Sequence, residues 1–263
     1  MKKKLFFLFT LLLTGCVLAG LIYLLVFSSQ TGEMTLCKEV CIKMERNGRP
    51  VYLQEKEVSD WLEKHRMEMK GKAVGTINTS MLEYVLNENP FIKEAQVYLT
   101  EDAVLHIEVS QRNPMLKVFN TNGQVFNIDE DGVEMPNNSN FPLRIRIANG
   151  NIPFIGHPGL RIWAIADTSP AKVLKEVFLL SNSISKDTVL DALIEQIYVN
   201  AISEYELVPK VGGQIIVFGS IKDMDEKLER LKLFYMQGIA KRGWDVYRIL
   251  NLKYKDQVVC TKK

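Results

Sequence analysis

The chain has 263 residues, with 33 Lys plus Arg against 31 Asp plus Glu, a formal charge of +2. That near balance of mixed signs excludes the basic field that nucleic acid demands. No low-complexity tract and no internal repeat is present, so a solenoid is excluded, and the length suits one or two ordinary cores.

The first element is Leu5 to Phe27, an apolar run without one charge. A helix of that length spans about 34 Å, enough to cross a hydrocarbon core of about 30 Å. A helix is the form a single span must take, because lipid offers no partner to a backbone amide. Lys2, Lys3 and Lys4 precede the run, and Ser28 to Glu33 carries no Lys or Arg. The positive-inside rule therefore keeps residues 1–4 in the cytoplasm and sends the rest across the membrane. A cleaved signal would be shorter and end on small residues. Leu13-Thr14-Gly15-Cys16 resembles a lipoprotein box, but Val17 to Phe27 continues apolar where a polar tether belongs. An uncleaved anchor over 5–27 is the expectation, with a tether over 28–36.

Beyond the anchor, Cys37, Cys41 and Cys260 lie in an oxidising space, an odd count that leaves at least one outside any internal pair. Cys37 and Cys41 on one strand are about 13 Å apart, too far for a disulfide. A bond from either to Cys260 stays open. Val40, Ile42 and Met44 alternate as a strand; Asn47-Gly48 marks a turn. Val58, Trp61, Leu62 and His65 make one helical face. Ser80 and Glu83 form a capping box for a helix with Leu82, Val85 and Leu86 inside, closed by Asn89-Pro90. Ala95, Val97 and Leu99, then Leu105, Ile107 and Val109, form a hairpin about Thr100–Ala103. His106 falls on its opposite face. Pro114 leads into a strand, Met115–Phe119.

This order, with Asn89-Pro90-Phe91-Ile92 and the exit Gln111-Arg112-Asn113-Pro114, resembles the POTRA module of FtsQ/DivIB bacterial division proteins. Gln111 stands where that family often has Glu. The resemblance implies a βααββ module over 37–119.

From 120 the pattern turns β-rich. Gln124–Ile128 and Val133–Met135 are strands about the turn Asp129-Glu130-Asp131-Gly132. Asn127-x-Asp129-x-Asp131-Gly132 imitates half a calcium loop, but Asn138 occupies the twelfth position and Val125-Phe126 reads as strand. A solvated turn is expected, with no reason for a raised carboxyl pKa. Leu143–Ile147, alternating with Arg144 and Arg146, suggests a half-exposed strand. Ile152–Trp163 is dense in turn residues and has no clear period. Ser169-Pro170 starts a helix burying Val173, Leu174, Val177, Phe178 and Leu180. Asp187 or Thr188 caps a short helix through Leu193. Strands follow over Gln196–Val199, Glu204–Pro209 and Gln214–Phe218, the last two joined at Gly212-Gly213. Asp223 and Glu226 form a capping box for a helix striped by Leu228, Leu231, Tyr235 and Ile239, ended at Gly243. Tyr247 to Cys260 reads as extended chain.

Leu207-Val208-Pro209, Gly213, Phe218-Gly219, a long helix and Leu252-Lys253-Tyr254 resemble the FtsQ/DivIB β domain, here 120–263. The expected fold is therefore α+β: an N-terminal transmembrane helix, a POTRA-type module, then a mixed sheet with flanking helices. The resemblance implies a non-catalytic, single-pass scaffold of the inner membrane at the division site. It would recruit division proteins through the module. It would bind bitopic coiled-coil partners of the FtsB/FtsL type by strand addition. Leu252, Lys253 and Tyr254 match the family's contact strand. Asn251, Lys255, Gln257, Val258 and Val259 extend that edge. Leu252 and Tyr254 could instead face the core, and Val258-Val259-Cys260 could be an added strand or a packed end.

No Gly-x-Ser-x-Gly elbow, P-loop or dinucleotide pattern occurs, and His65, His106 and His157 have no ligand spacing. No cofactor, metal, nucleic acid or small-molecule substrate is implied. The alternative is a membrane-anchored POTRA transport or envelope-assembly factor. A lone module with no barrel repeat speaks against it.

Overall fold

The computed structural model describes residues 13–23, 35–45, 53–137, 143–167, 169–239 and 243–263. Residues 13–23 are helical (α1). Among the described residues no helix is long and apolar enough to cross a membrane. The remainder of the expected span Leu5–Phe27 lies outside the described residues, as does the Asn47-Gly48 turn. Two compact units divide at Gln111/Arg112.

The first unit has strands β1 (Glu39–Met44), β2 (Ile92–Leu99) and β3 (Val104–Gln111) with helices α2 (Glu55–Lys64) and α3 (Thr79–Asn87). The sheet order is β1-β3-β2, β1 parallel and β2 antiparallel to β3. Val58 and Leu62 of α2, and Leu82 and Leu86 of α3, pack with Ala95, Val97, Leu105, Ile107 and Val109 in one core. Period 2 on the strands and period 3.6 on the helices direct these side chains to a shared layer. Trp61 Nε1 donates to the Val85 carbonyl at 2.9 Å, joining the helices. His65 caps α2 and lies against Trp61, ring centroids 4.6 Å apart. His106 stacks on Tyr98 on the other sheet face, 5.1 Å between centroids.

The start of α3 differs from expectation. Asn78, not Ser80, is the cap, its side chain accepting from the Met81 amide at 2.9 Å. Glu83 is free of the capping role because its Oε1 accepts from the Val97 amide at 2.8 Å.

Among the described residues the second unit carries one nine-stranded sheet of β4 (Pro114–Phe119), β5 (Val125–Asp129), β6 (Glu134–Pro136), β7 (Arg146–Gly150), β8 (Ile194–Val199), β9 (Tyr205–Pro209), β10 (Ile215–Gly219), β11 (Tyr247–Asn251) and β12 (Val259–Lys262). Its order is β12-β11-β10-β9-β8-β7-β4-β5-β6. The expected boundary after Phe119 is thereby corrected: β4 pairs antiparallel with β5 and parallel with β7, so it belongs to the second unit. Helices α4 (Ser169–Lys186), α5 (Thr188–Leu193) and α6 (Met224–Leu233) contribute to a single core with the inward residues of the sheet. Leu174, Val177, Phe178, Leu228 and Leu231 meet Leu116, Val118, Ile197, Leu207, Ile216, Phe218 and Leu250 there. Asp187 caps α5, accepting from the Val189 and Leu190 amides.

Three local expectations are corrected. Arg146 is not on a half-exposed face: it is buried. Its guanidinium donates to the Ser181 and Ile194 carbonyls, both Ser181 and Ser185 hydroxyls, and Asp191. Burial lowers its pKa against the opposing pull of Asp191. Asp223 makes no side-chain cap, because its backbone is left-handed at φ 53°. Beyond α6 the helix widens into a π segment, Phe234–Ile239. Finally, the Asp129–Gly132 turn is not open to water. Asp129 is 1% exposed, pairs with Arg112 at 2.9 Å and accepts from the Asp131 and Val133 amides.

Cys37 is buried in the first unit and Cys260 half-buried in the second, and no disulfide joins the described cysteines.

Candidate partner-binding edge

The sheet order places β12 at one margin of the second unit, with β11 behind it. β11 runs parallel to β10, Ile215 opposite Ile249 and Val217 opposite Asn251. β12 then returns antiparallel, pairing Asn251 with Val259, Leu250 with Cys260 and Ile249 with Thr261. Tyr247 to Cys260 is therefore not one extended segment, and residues 252–258 connect two strands.

Specific interactions enforce that break. The Asn251 side chain accepts from the Lys253 amide at 3.0 Å, an Asx turn that bends the chain away from β10. Asp256 adopts a left-handed backbone, φ 58°. Just before the bend, the Leu252 amide still donates to the Val217 carbonyl at 2.9 Å. Leu252 is wholly buried in the core.

The side chains of the connector divide by role. Lys253 Nζ pairs with both oxygens of Glu204, at 2.7 and 2.8 Å. Its stem lies over Gly219, where an added Cβ would come within 2.8 Å of Lys253 Cγ. Tyr254 is 52% exposed, and its carbonyl accepts from Arg230 Nη1 at 2.9 Å. Lys255 and Gln257 are exposed. Val258 packs partly against the core, and Val259 is 41% exposed on β12. The tail is thus an added strand with one side packed.

The Lys263 amide donates to the Val246 carbonyl, so alternation along β12 turns the Lys262 amide to the open side. Lys262, on β12 itself, lies beyond the residues that sequence reasoning chose. The run Val258-Val259-Cys260-Thr261, three of its four residues β-branched, was the signal that could have extended the choice to it. An open margin of this kind presents backbone donors and acceptors that another strand can complete.

Residues 35–110 match a POTRA-like domain. Residues 113–261, more than half of the chain, match the family described as FtsQ/DivIB, C-terminal related. Both are non-enzymatic families. A comparison with curated proteins finds no match. With the POTRA-like unit placed before a sheet domain that carries the family's C-terminal region, the chain belongs to the FtsQ/DivIB family of cell-division proteins.

Proposed function

We propose that this protein is a bitopic scaffold of the bacterial division machinery, which captures an FtsB/FtsL-type partner by strand addition. The observation that supports this reading is the margin position of β12, a short strand that begins at the partly exposed Val259 and follows the connector carrying the exposed Tyr254. Backbone hydrogen bonds along β12 supply affinity, and side chains on the connector 252–258 set register. Asn251, Lys253, Tyr254, Lys255, Gln257, Val258 and Val259 form the flank of that site, while Leu252 holds it from beneath. The uncharged run Leu5–Phe27 acts as the anchor, with the N-terminus in the cytoplasm and the two units outside the inner membrane. The POTRA-like unit recruits further division proteins.

The test is co-purification of the full chain with the coiled-coil partner from membranes. Lys262→Pro removes an outward donor while leaving the β11–β12 bonds in place, and Tyr254→Ala removes the exposed ring. Each should reduce recovery of the partner at least about tenfold, about 1.4 kcal/mol, with unchanged far-ultraviolet circular dichroism. Full recovery with both variants would refute the edge as the binding site.

A further inference from the structure

The opposite margin of the sheet, at β6, is closed from within the chain. The segment Ile152 to Trp163 lies along it as a strap. Its ends are anchored: Ile152, Phe154 and Ile162 are buried, and Phe154 meets Phe126 edge-on at 6.4 Å between centroids. Asn120 donates to the Phe154 carbonyl at 2.8 Å, and the Gln124 amide exchanges two bonds with the backbone of Gly156. Between these anchors the strap makes two bonds to one residue. The Gly159 amide donates to the Glu134 carbonyl at 2.8 Å, and the Glu134 amide donates to the Leu160 carbonyl at 2.9 Å. The β6 margin is therefore occupied by His157–Leu160.

The side chain beneath this contact is out of place for a structural residue. Glu134 is 1% exposed; neither carboxylate oxygen completes a well-formed hydrogen bond, and the His157 backbone amide beside it favours the charged form only weakly. It stands opposite Ile128 on β5, on the face shared with Phe126. Gly156 presses against it so closely that an added Cβ would lie 2.2 Å from Oε1. That glycine is required by the carboxyl beside it, since its φ lies outside the left-handed range. His157 on the strap is the titratable neighbour; Phe126 and Ile128 contribute none, and the Arg112–Asp129 pair stands on the alternate face of β5.

We propose that Glu134 is a proton-operated latch: its neutral carboxyl seats His157–Leu160 on β6, and its ionisation lifts that segment and opens the margin. A carboxylate so weakly partnered in an apolar site is disfavoured, and movement of the strap would admit water to it. Gly156 precedes the segment that would move, and Gly159, at φ 83°, lies within it. Burial pushes the Glu134 carboxyl up to about 6, against the weaker pull of the His157 backbone amide and ring. The transition therefore falls just below neutral pH.

Hydrogen exchange read by mass spectrometry on the full chain in lipid nanodiscs tests the latch. Exchange rates are corrected for the intrinsic effect of pH. Peptides over 152–163 should be protected at pH 5 and lose at least about tenfold of that protection at pH 7.5. Glu134→Gln should remove the pH dependence, and His157→Gln should preserve it. Equal protection of the natural chain at both pH values would overturn the proposal. So would loss of the dependence in His157→Gln alone, which would assign the transition to the imidazole.

Discussion

Arg112 donates to Asp129 at 2.9 Å across 17 residues, and so ties the entry of the second unit to the turn between β5 and β6. The same carboxylate accepts from the Asp131 and Val133 amides at 2.9 and 2.7 Å. An acidic turn that resembles half a cation loop is thus satisfied internally. Asp129→Ala removes all three bonds and should cost about 3–5 kcal/mol, the range for breaking a buried pair. Arg112→Ala leaves the two amide bonds and should cost less. Urea midpoints of the two variants check the order.

Arg146 offers a second contrast. Its guanidinium is buried, while its partner Asp191 is more than half exposed. Arg146→Ala strands the hydroxyls of Ser181 and Ser185 and should destabilise the second unit by about 3–5 kcal/mol. Asp191→Ala leaves the hydroxyl and carbonyl acceptors in place, so its cost should be clearly smaller. Thermal unfolding of both variants measures the difference.

Glu134 carries a stability signature separate from strap motion. Its carboxyl titrates near 6 in the fold, above the ordinary 4.5. The unfolded chain releases its proton first, so stability falls as pH rises from about 4.5 through 6 and is then level. Glu134→Leu should be more stable than the natural chain at pH 7.5, by about 1–2 kcal/mol. That gain should shrink at pH 4.5. Chemical denaturation at the two pH values decides it, and an equal gain at both would remove the ionisation argument.

Asp187 has the opposite sign. The Lys232 ammonium, at 2.7 Å, and the amides of α5 hold its carboxyl below the ordinary range. The stability it contributes is present above the ordinary carboxylate pKa and is lost as pH falls through the lowered folded value. Asp187→Asn should lower the melting temperature at pH 7 and narrow the difference from the natural chain as pH drops below about 4. A melting-temperature series over pH 2.5–7 checks this.

The Val97 and Ala95 amides on the outer edge of β2 donate to Glu83 and Asn87 of α3. Two helix side chains thereby mask a strand margin that would otherwise be open to pairing. Glu83→Ala should speed exchange of the Val97 amide and cost about 1 kcal/mol. Unchanged protection at Val97 would show that the carboxylate is dispensable there.

Periodicity alone located the helix faces Leu82–Leu86 and Val173–Phe178, and the hairpin of Ala95–Val109, because each is a repeat of two or 3.6 residues written locally. The turn at Gly212-Gly213 was legible because its cue is local as well: both glycines have positive φ. Capping at Ser80 and Asp223 was misread because Asn78 and a left-handed backbone compete for the same few residues. The membership of β4, the burial of Arg146 and Asp129, and the division of 247–262 into two strands depend on partners tens of residues away. Nothing within a short window distinguishes an arginine facing water from one facing Ser181 and Asp191. Only the assembled sheet, which places those distant groups within hydrogen-bond range, decides which polar side chains are buried and which margin stays open.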